Sequence, residues 1–426
     1  MSSWPRDAAS SLWTRLSRER FSAPVLSGDL AADVVVIGGG IAGLSTALAL
    51  RERGLDVVVV EAVRIGSGAS GRANGQVIAT LTRLGPEGMA KALGKPFLDM
   101  VAGSADVLYG FVARFGIDCD AVRHGWLQPA HSPGRAAAAR GLARQWAAAG
   151  APAVALDRAD VEALIGAPGY AGGWLHRGGG HINPYAFTVG LARGVAGTGV
   201  RIFEGSPATA LERVGGLWQV TTPAGTVRAP RVALATGAHT GDLWPGLRRT
   251  FVPVTSYQVA TAPLGSLAAR ILPGDEAFSD TRRDLRYMRK DREGRLVSGA
   301  ALAIQMGAAS RLPAAVRRRL AQLFPELAAV PMPDFWGGRI AMTVDRLPHL
   351  HRTDEGLAAW VGCNGRGLAL CCGMGTVLAD AVLGRPDAEL ALPPTPVKPL
   401  PLHGFVTATA RMILPYYRWL DGREVH

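Results

Sequence analysis

Apolar and polar residues alternate along this chain in blocks that change period several times. Asp33 is followed by Val34, Val35, Val36 and Ile37, a continuous apolar run as long as a strand buried on both faces. Gly38-Gly39-Gly40 interrupts it. Leu44, Ala47 and Leu48 then recur at helical spacing from Ile41 to Arg53, and Gly54 stops that helix. Val57 to Val60 make a second buried-strand run that ends in Glu61. Together these form a complete strand–helix–strand unit.

Beyond a glycine-rich loop at 66–76, the pattern predicts helices over 86–116 and 134–148 and a strand at 125–130. Asn183-Pro184 starts a helix over 184–197, because Asn caps and Pro fits the first turn. Strands alternate through 200–237, with turns at Gly215-Gly216 and Ala224-Gly225. Segments 251–262 and 285–299 read as antiparallel strands with a turn near Glu293-Gly294. A helix at 313–323 stops before Pro325. From Trp336 onward come a strand, an Asp345-Arg346-Leu347-Pro348 turn, a strand at 357–361 and a helix from Gly367 to Leu383. Residues 1–28 read as an arm into the first strand. At the other end a proline-rich linker, 392–401, leads to a helix over 405–420 broken at Pro415.

The glycines inside the first unit carry chemistry. Gly38 permits the tight turn out of the strand, Gly40 lets backbone approach a pyrophosphate, and Gly43 lets helix and strand pack closely. Ile41 and Ala42 open the helix, whose N-terminus faces that negative charge. Glu61, followed by Ala62, stands where a carboxylate binds ribose hydroxyls and disfavours the extra phosphate of NADP. This motif alone does not choose between FAD and NAD. The stretch that follows, Ile65 to Gln76, is small, flexible and polar, and suits threading along a bound dinucleotide.

Composition changes this picture little. The 426 residues, 48% of them apolar, can build one large domain or two intertwined ones. The net charge of +12 comes from arginine, with only Lys91, Lys95, Lys290 and Lys398 as lysines. No long basic run accompanies it, and Arg317-Arg318-Arg319 reads as the solvated face of a helix, so no nucleic acid partner is expected. Cys119, Cys363, Cys371 and Cys372 have no metal-ligand spacing, and a bridge between the adjacent pair would be strained. A reducing compartment follows. Met1 to Arg20 has no apolar signal core, and the uncharged stretch between Asp33 and Arg51 is shorter than a membrane span, so the cytoplasm is the expected address.

Gly68-Ala69-Ser70-Gly71-Arg72-Ala73-Asn74-Gly75-Gln76 resembles the loop signature of the D-amino-acid-oxidase-like superfamily of FAD enzymes, in its gamma-glutamylputrescine oxidase-like branch. Ala73 and Asn74 replace the Asn and Gly of that signature. His181 to Tyr185, Val232 to Gly237, Trp336 to Arg339, Thr343 to Pro348 and Gly365-Arg366-Gly367 are similar to later family segments in the same order. The resemblance implies an α/β fold: a Rossmann-type FAD-binding domain from 29–100, 170–237 and 335–390, with an inserted antiparallel-sheet substrate domain (α+β) from 101–169 and 238–334. Residues 391–426 are left as linker and helix. It implies that Gly68, Ala69, Ser70, Arg72, Asn74, Gly75 and Gln76 touch the cofactor, as do Ala208, Thr236, Gly237, Gly337, Arg339, Gly365, Arg366, Gly367 and Leu368. Ile340 occupies the place where the sarcosine-oxidase branch carries a flavin-linked Cys, so non-covalent FAD is implied. That branch's substrate-binding Lys is also missing from Gly365-Arg366-Gly367-Leu368-Ala369.

The implied reaction is oxidation of a small amine, with imine hydrolysis to a carbonyl product and reoxidation by O2. Gln76, Tyr257, Tyr287 and Arg339 are the polar groups expected nearest the substrate, although both tyrosines also read as half-buried sheet residues and Arg339 as a surface ion pair. Two other functions are compatible: a dehydrogenase that passes electrons to a quinone or carrier protein, and a non-catalytic flavin-binding subunit. Met412 to Trp419 has the apolar and aromatic content of an interfacial anchor, but packing of this tail on its own domain is the expectation. No metal site is expected, and the oligomeric state is left open.

Overall fold

The computed structural model describes residues 11–424; Trp4 and the start of the expected arm lie outside them. The two valine runs are neighbours in a six-stranded sheet. Its order is His349–Arg352, Leu357–Val361, Arg231–Leu234, Val34–Ile37, Val57–Val60 and Arg201–Phe203, parallel except for the first strand. Strand pleating divides the runs between two cores. Val34, Val36, Val57 and Val59 face the helices Ile41–Arg51, Pro184–Gly197 and Gly367–Val382. Val35, Ile37, Val58 and Val60 face a four-stranded sheet built from Gly28–Ala31 and residues 210–229. A Cβ at Gly375 would overlap Ser45, so two of these helices cross with their backbones nearly touching.

An eight-stranded sheet forms the other half, in the order Asp334–Met342, Val252–Ala260, Leu296–Ala301, Tyr287–Lys290, Ala277–Ser279, Trp126–Pro129, Gly173–His176 and Ala153–Leu156. One face closes a second core under the helices Arg158–Ile165 and Ala308–Ala321. Gly173–His176 and Asp334–Met342, which but for Asp334 itself fall within the segments expected to hold the cofactor, both belong to this sheet. Sequence spacing does not carry that information, because both strands pair with partners distant in the chain.

Several local expectations are corrected. Gly94, at φ +88°, splits the helix expected over 86–116 into Pro86–Leu93 and Lys95–Phe115. The second piece is long and apolar enough to cross a membrane, yet its Phe97, Val101, Ala105 and Leu108 pack in the main core. The helix expected from 313 starts at Ala308, with Pro313 inside it. Leu12–Leu16 is a capped helical turn that buries Trp13 beside Trp336.

The C-terminal segment departs furthest from expectation. Pro415 does not break the terminal helix, because it is the third residue of Ile413–Arg423, where a missing N–H has no intrahelical partner to lose. The interruption is the 3₁₀ turn Ala410–Met412 instead. The tail does dock on its own chain, but through its charged side. Asp421 accepts from the backbone N–H groups of Arg283 and Asp284, each at 3.0 Å. Glu424 pairs with Arg135 at 2.8 Å and with Arg283 at 2.6 Å.

Candidate active site

The turn after Val34–Ile37 is a cradle only glycine can make. Gly38 has φ +110°, and a Cβ there would lie 2.8 Å from the Ala235 carbonyl oxygen. A Cβ at Gly43 would overlap the carbonyl of Gly38, and one at Gly40 would press on Ser70 Oγ at 2.9 Å. The N–H of Ile41 donates to Ser70 Oγ at 3.1 Å, which ties the helix N-terminus to the loop. Glu61 accepts from the N–H groups of Gly39 at 2.8 Å and Val63 at 3.0 Å. Burial raises the pKa of Glu61 above the usual carboxylate range, against the lowering by these N–H groups. A carboxylate at a strand end, reaching back over the glycine turn, fits the ribose of an adenine dinucleotide, and the turn itself fits the pyrophosphate.

The loop continues from the cradle to the eight-stranded sheet. Ala69–Gly71 form a short 3₁₀ turn, and Gly68 lies beside His239, which follows Thr236 and Gly237 at the end of Arg231–Leu234. Arg72 donates to the Gly337 carbonyl, and Trp336 Nε1 donates back to the Arg72 carbonyl at 2.9 Å. Trp13 Nε1 holds the Ala73 carbonyl at 2.8 Å. Gly75, at φ +100°, then turns the chain against Arg289. Arg289 is 1% exposed and hydrogen-bonds the carbonyls of Asn74 at 2.9 Å, Ile182 at 2.7 Å and Lys290 at 3.0 Å. Its guanidinium stacks 4.2 Å from the Trp13 ring, and desolvation lowers its pKa to about 10.

This strapping presents a row of neutral polar side chains. Trp126 Nε1 donates to Ser279 Oγ at 3.2 Å, and Ser279 Oγ donates to Gln76 Oε1 at 2.6 Å. Gln76 Nε2 donates to Asn74 Oδ1 at 3.0 Å, and Asn74 Nδ2 donates to Gln258 Oε1 at 3.0 Å. Gln258 Nε2 completes the row by donating to the Tyr287 hydroxyl at 2.9 Å. Burial raises the pKa of the Tyr287 phenol, so it stays a neutral donor and acceptor.

Of the residues expected nearest the substrate, Gln76 and Tyr287 belong to this row. Tyr257 does not. Its ring stacks on Phe335 at 5.3 Å against the second core, and the next residue, Gln258, faces the loop. Arg339 is paired in register with Thr255, and its charge, with that of Arg72, joins burial in lowering the pKa of His239. Ala208 packs against the core beneath the four-stranded sheet. Gly365, at φ +86°, and Arg366 precede the helix that starts at Gly367 and Leu368. Arg366 donates to Thr80 Oγ1 and lies 4.7 Å from the Trp126 ring centroid, and burial lowers its pKa to about 10. Gln258, Ser279 and Arg289 escaped the reading of the sequence; a strand residue's facing depends on register, and a lone arginine reads as surface. Among the described residues no His/Cys/Asp/Glu group could hold a metal, and all four cysteines are unbridged.

A glycine cradle at the carboxyl end of a parallel sheet, opening onto a polar wall of a second sheet, defines a dinucleotide-dependent oxidoreductase. The chain belongs to the DAO family of FAD dependent oxidoreductases, whose sequence profile matches residues 33–381. It is 32% identical over 380 residues to a probable oxidoreductase OrdL of Rhizobium meliloti, covering 88% of both chains. It is 30% identical over 377 residues to the gamma-glutamylputrescine oxidoreductase of Escherichia coli, covering 85% of this chain and 86% of that one. Glycine oxidase from Geobacillus kaustophilus shares the fold, with a TM-score of 0.70 and 22% identity over 84% of this chain and 96% of that one.

Proposed function

We propose that this enzyme oxidises a small amine at the carbon bearing its nitrogen, with FAD held non-covalently between the glycine cradle and the polar row. The six-stranded sheet with its helices is assigned to the cofactor and the eight-stranded sheet to the substrate. Bound FAD supplies the two-electron acceptor for the hydride that leaves carbon. The chain's own residues bind, orient and desolvate. Asn74, Gln76, Gln258 and Tyr287 offer amide and phenol groups that can accept from an amine N–H and fix its rotation. Burial, with the charges of Arg339 and Arg72, holds His239 beside the loop below its ordinary pKa, and the same burial and charge would favour a neutral amine over an ammonium ion. The amine loses two electrons and two protons; water then splits the imine to a carbonyl compound and a smaller amine.

The observation that carries this reading is the unbroken neutral row from Ser279 to Tyr287, which passes through Gln76 and Asn74 of the same loop that closes the cradle. The E. coli relative's name specifies an amine substrate, which agrees with it. Ile340, 3.9 Å from the Cβ position of Gly365, offers no thiol for a covalent link. Anaerobic addition of primary and secondary amines should bleach the visible flavin band, whereas 2-hydroxy acids should leave it unchanged. Bleaching by hydroxy acids but by no amine would refute the proposal. The acceptor is proposed to be O2. The exposed aromatic tail favours a second reading, electron delivery to a quinone, and peroxide formed in step with amine loss would decide for O2.

A further inference from the structure

Amphipathic tails normally bury their apolar side and expose their charges. The segment from His403–Thr409 through Ile413–Arg423 does the reverse. Asp421 is 5% exposed and Glu424 is tied to two arginines, whereas Phe405 is 68%, Met412 61%, Tyr416 54% and Trp419 53% exposed. Leu402 and Ile413 are exposed as well. The rings of Tyr416 and Trp419 stack at 5.9 Å, and the Arg423 guanidinium lies 4.9 Å from the Trp419 centroid. Phe405, Met412, Tyr416 and Trp419 belong to no hydrophobic core among the described residues.

We propose that this outward side docks on an anionic lipid bilayer. Between Leu402 and Arg423 the one acid, Asp421, points inward and Arg418 pairs with the buried Asp284 of the body, while Arg411 and Arg423 leave the segment cationic on a chain of net charge +12. Tryptophan and tyrosine flanked by arginine match the headgroup layer, where the rings sit at the apolar boundary and the cations meet lipid phosphates. A second copy fits less well, because a two-fold contact would set the same arginines against each other. The ion pairs of Asp421 and Glu424 hold the helix to the body and leave its aromatic edge free to insert.

Full-length, flavin-loaded protein should pellet with vesicles of equimolar phosphatidylcholine and phosphatidylglycerol, and less with phosphatidylcholine alone. Raising salt from about 0.1 to 0.5 M should release it. The double variant Phe405→Ser/Trp419→Ser should partition at least about tenfold more weakly, and Arg423→Gln should weaken binding to the anionic vesicles only. Amine-driven bleaching in solution should be unchanged in all of them, which keeps this test separate from the proposed reaction. Protein that stays in the supernatant with anionic vesicles would overturn the assignment, as would a double variant that pellets like the wild type. So would a lipid-free dimer in sedimentation velocity that the double variant disperses, since the face would then belong to a second copy.

Discussion

Burying a guanidinium is costly unless every donor finds an acceptor, and Arg289 meets that cost with backbone carbonyls rather than a carboxylate. Arg289→Met keeps the stem but strands the carbonyls of Asn74 and Ile182, at about 1–3 kcal/mol for each buried group left unpaired. Thermal unfolding should show the loss, and the Asn74–Gln76 loop should bind FAD more weakly. Gln258 bridges Asn74 and Tyr287, so Gln258→Leu should retain FAD but lower stability by about 1–3 kcal/mol for each of these groups left unpaired. The loss of one orienting hydrogen bond of ~1 kcal/mol should slow amine-driven reduction about fivefold in stopped flow. Tyr257→Phe, on the far face of the same strand, should change that rate little. The sequence Ser256-Tyr257-Gln258 does not tell which parity faces the loop; register against Trp336 decides it.

Among elements, the strand–helix–strand unit was legible because its contacts are local and its glycines have steric reasons that can be stated from spacing alone. Gly43 and Gly141 make the contrast measurable. A Cβ at Gly43 would overlap the Gly38 carbonyl, so Gly43→Ala should push the helix off the strand and abolish FAD retention on gel filtration. Gly141 lies within the helix Pro133–Ala148 with nothing within 4 Å of its Cβ, so Gly141→Ala should stabilise by about 0.5–1 kcal/mol. The eight-stranded sheet was only half legible. Its antiparallel hairpin Tyr287–Lys290 with Leu296–Ala301 follows from alternation and a turn, whereas the parallel pairing of Ala277–Ser279 with Trp126–Pro129 joins segments about 150 residues apart, which no local pattern encodes. The tail's inverted orientation was hidden for the same reason, since Asp421 is drawn inward by Arg283 from a distant strand connection.

For the molecule as a whole, acid should be more damaging than the surface charge implies. His176 is buried between Trp146 and Trp174 with neither ring nitrogen hydrogen-bonded within the described residues, and burial lowers its pKa. On acidification the unfolded imidazole takes up its proton first, near pH 6.5, while the folded one resists. The stability that His176 contributes is therefore present above about pH 6.5 and is lost as the pH falls toward its lower folded pKa. His176→Phe should flatten the fall in Tm between about pH 7 and 5; a wild-type slope retained in the variant would contradict this. If the chain from Asp33 to Gln76 wraps FAD, the absorbance spectrum of purified protein after incubation with excess FAD and gel filtration must show it. A flavin band should elute with the protein in about equal amount. Protein that elutes colourless would contradict it.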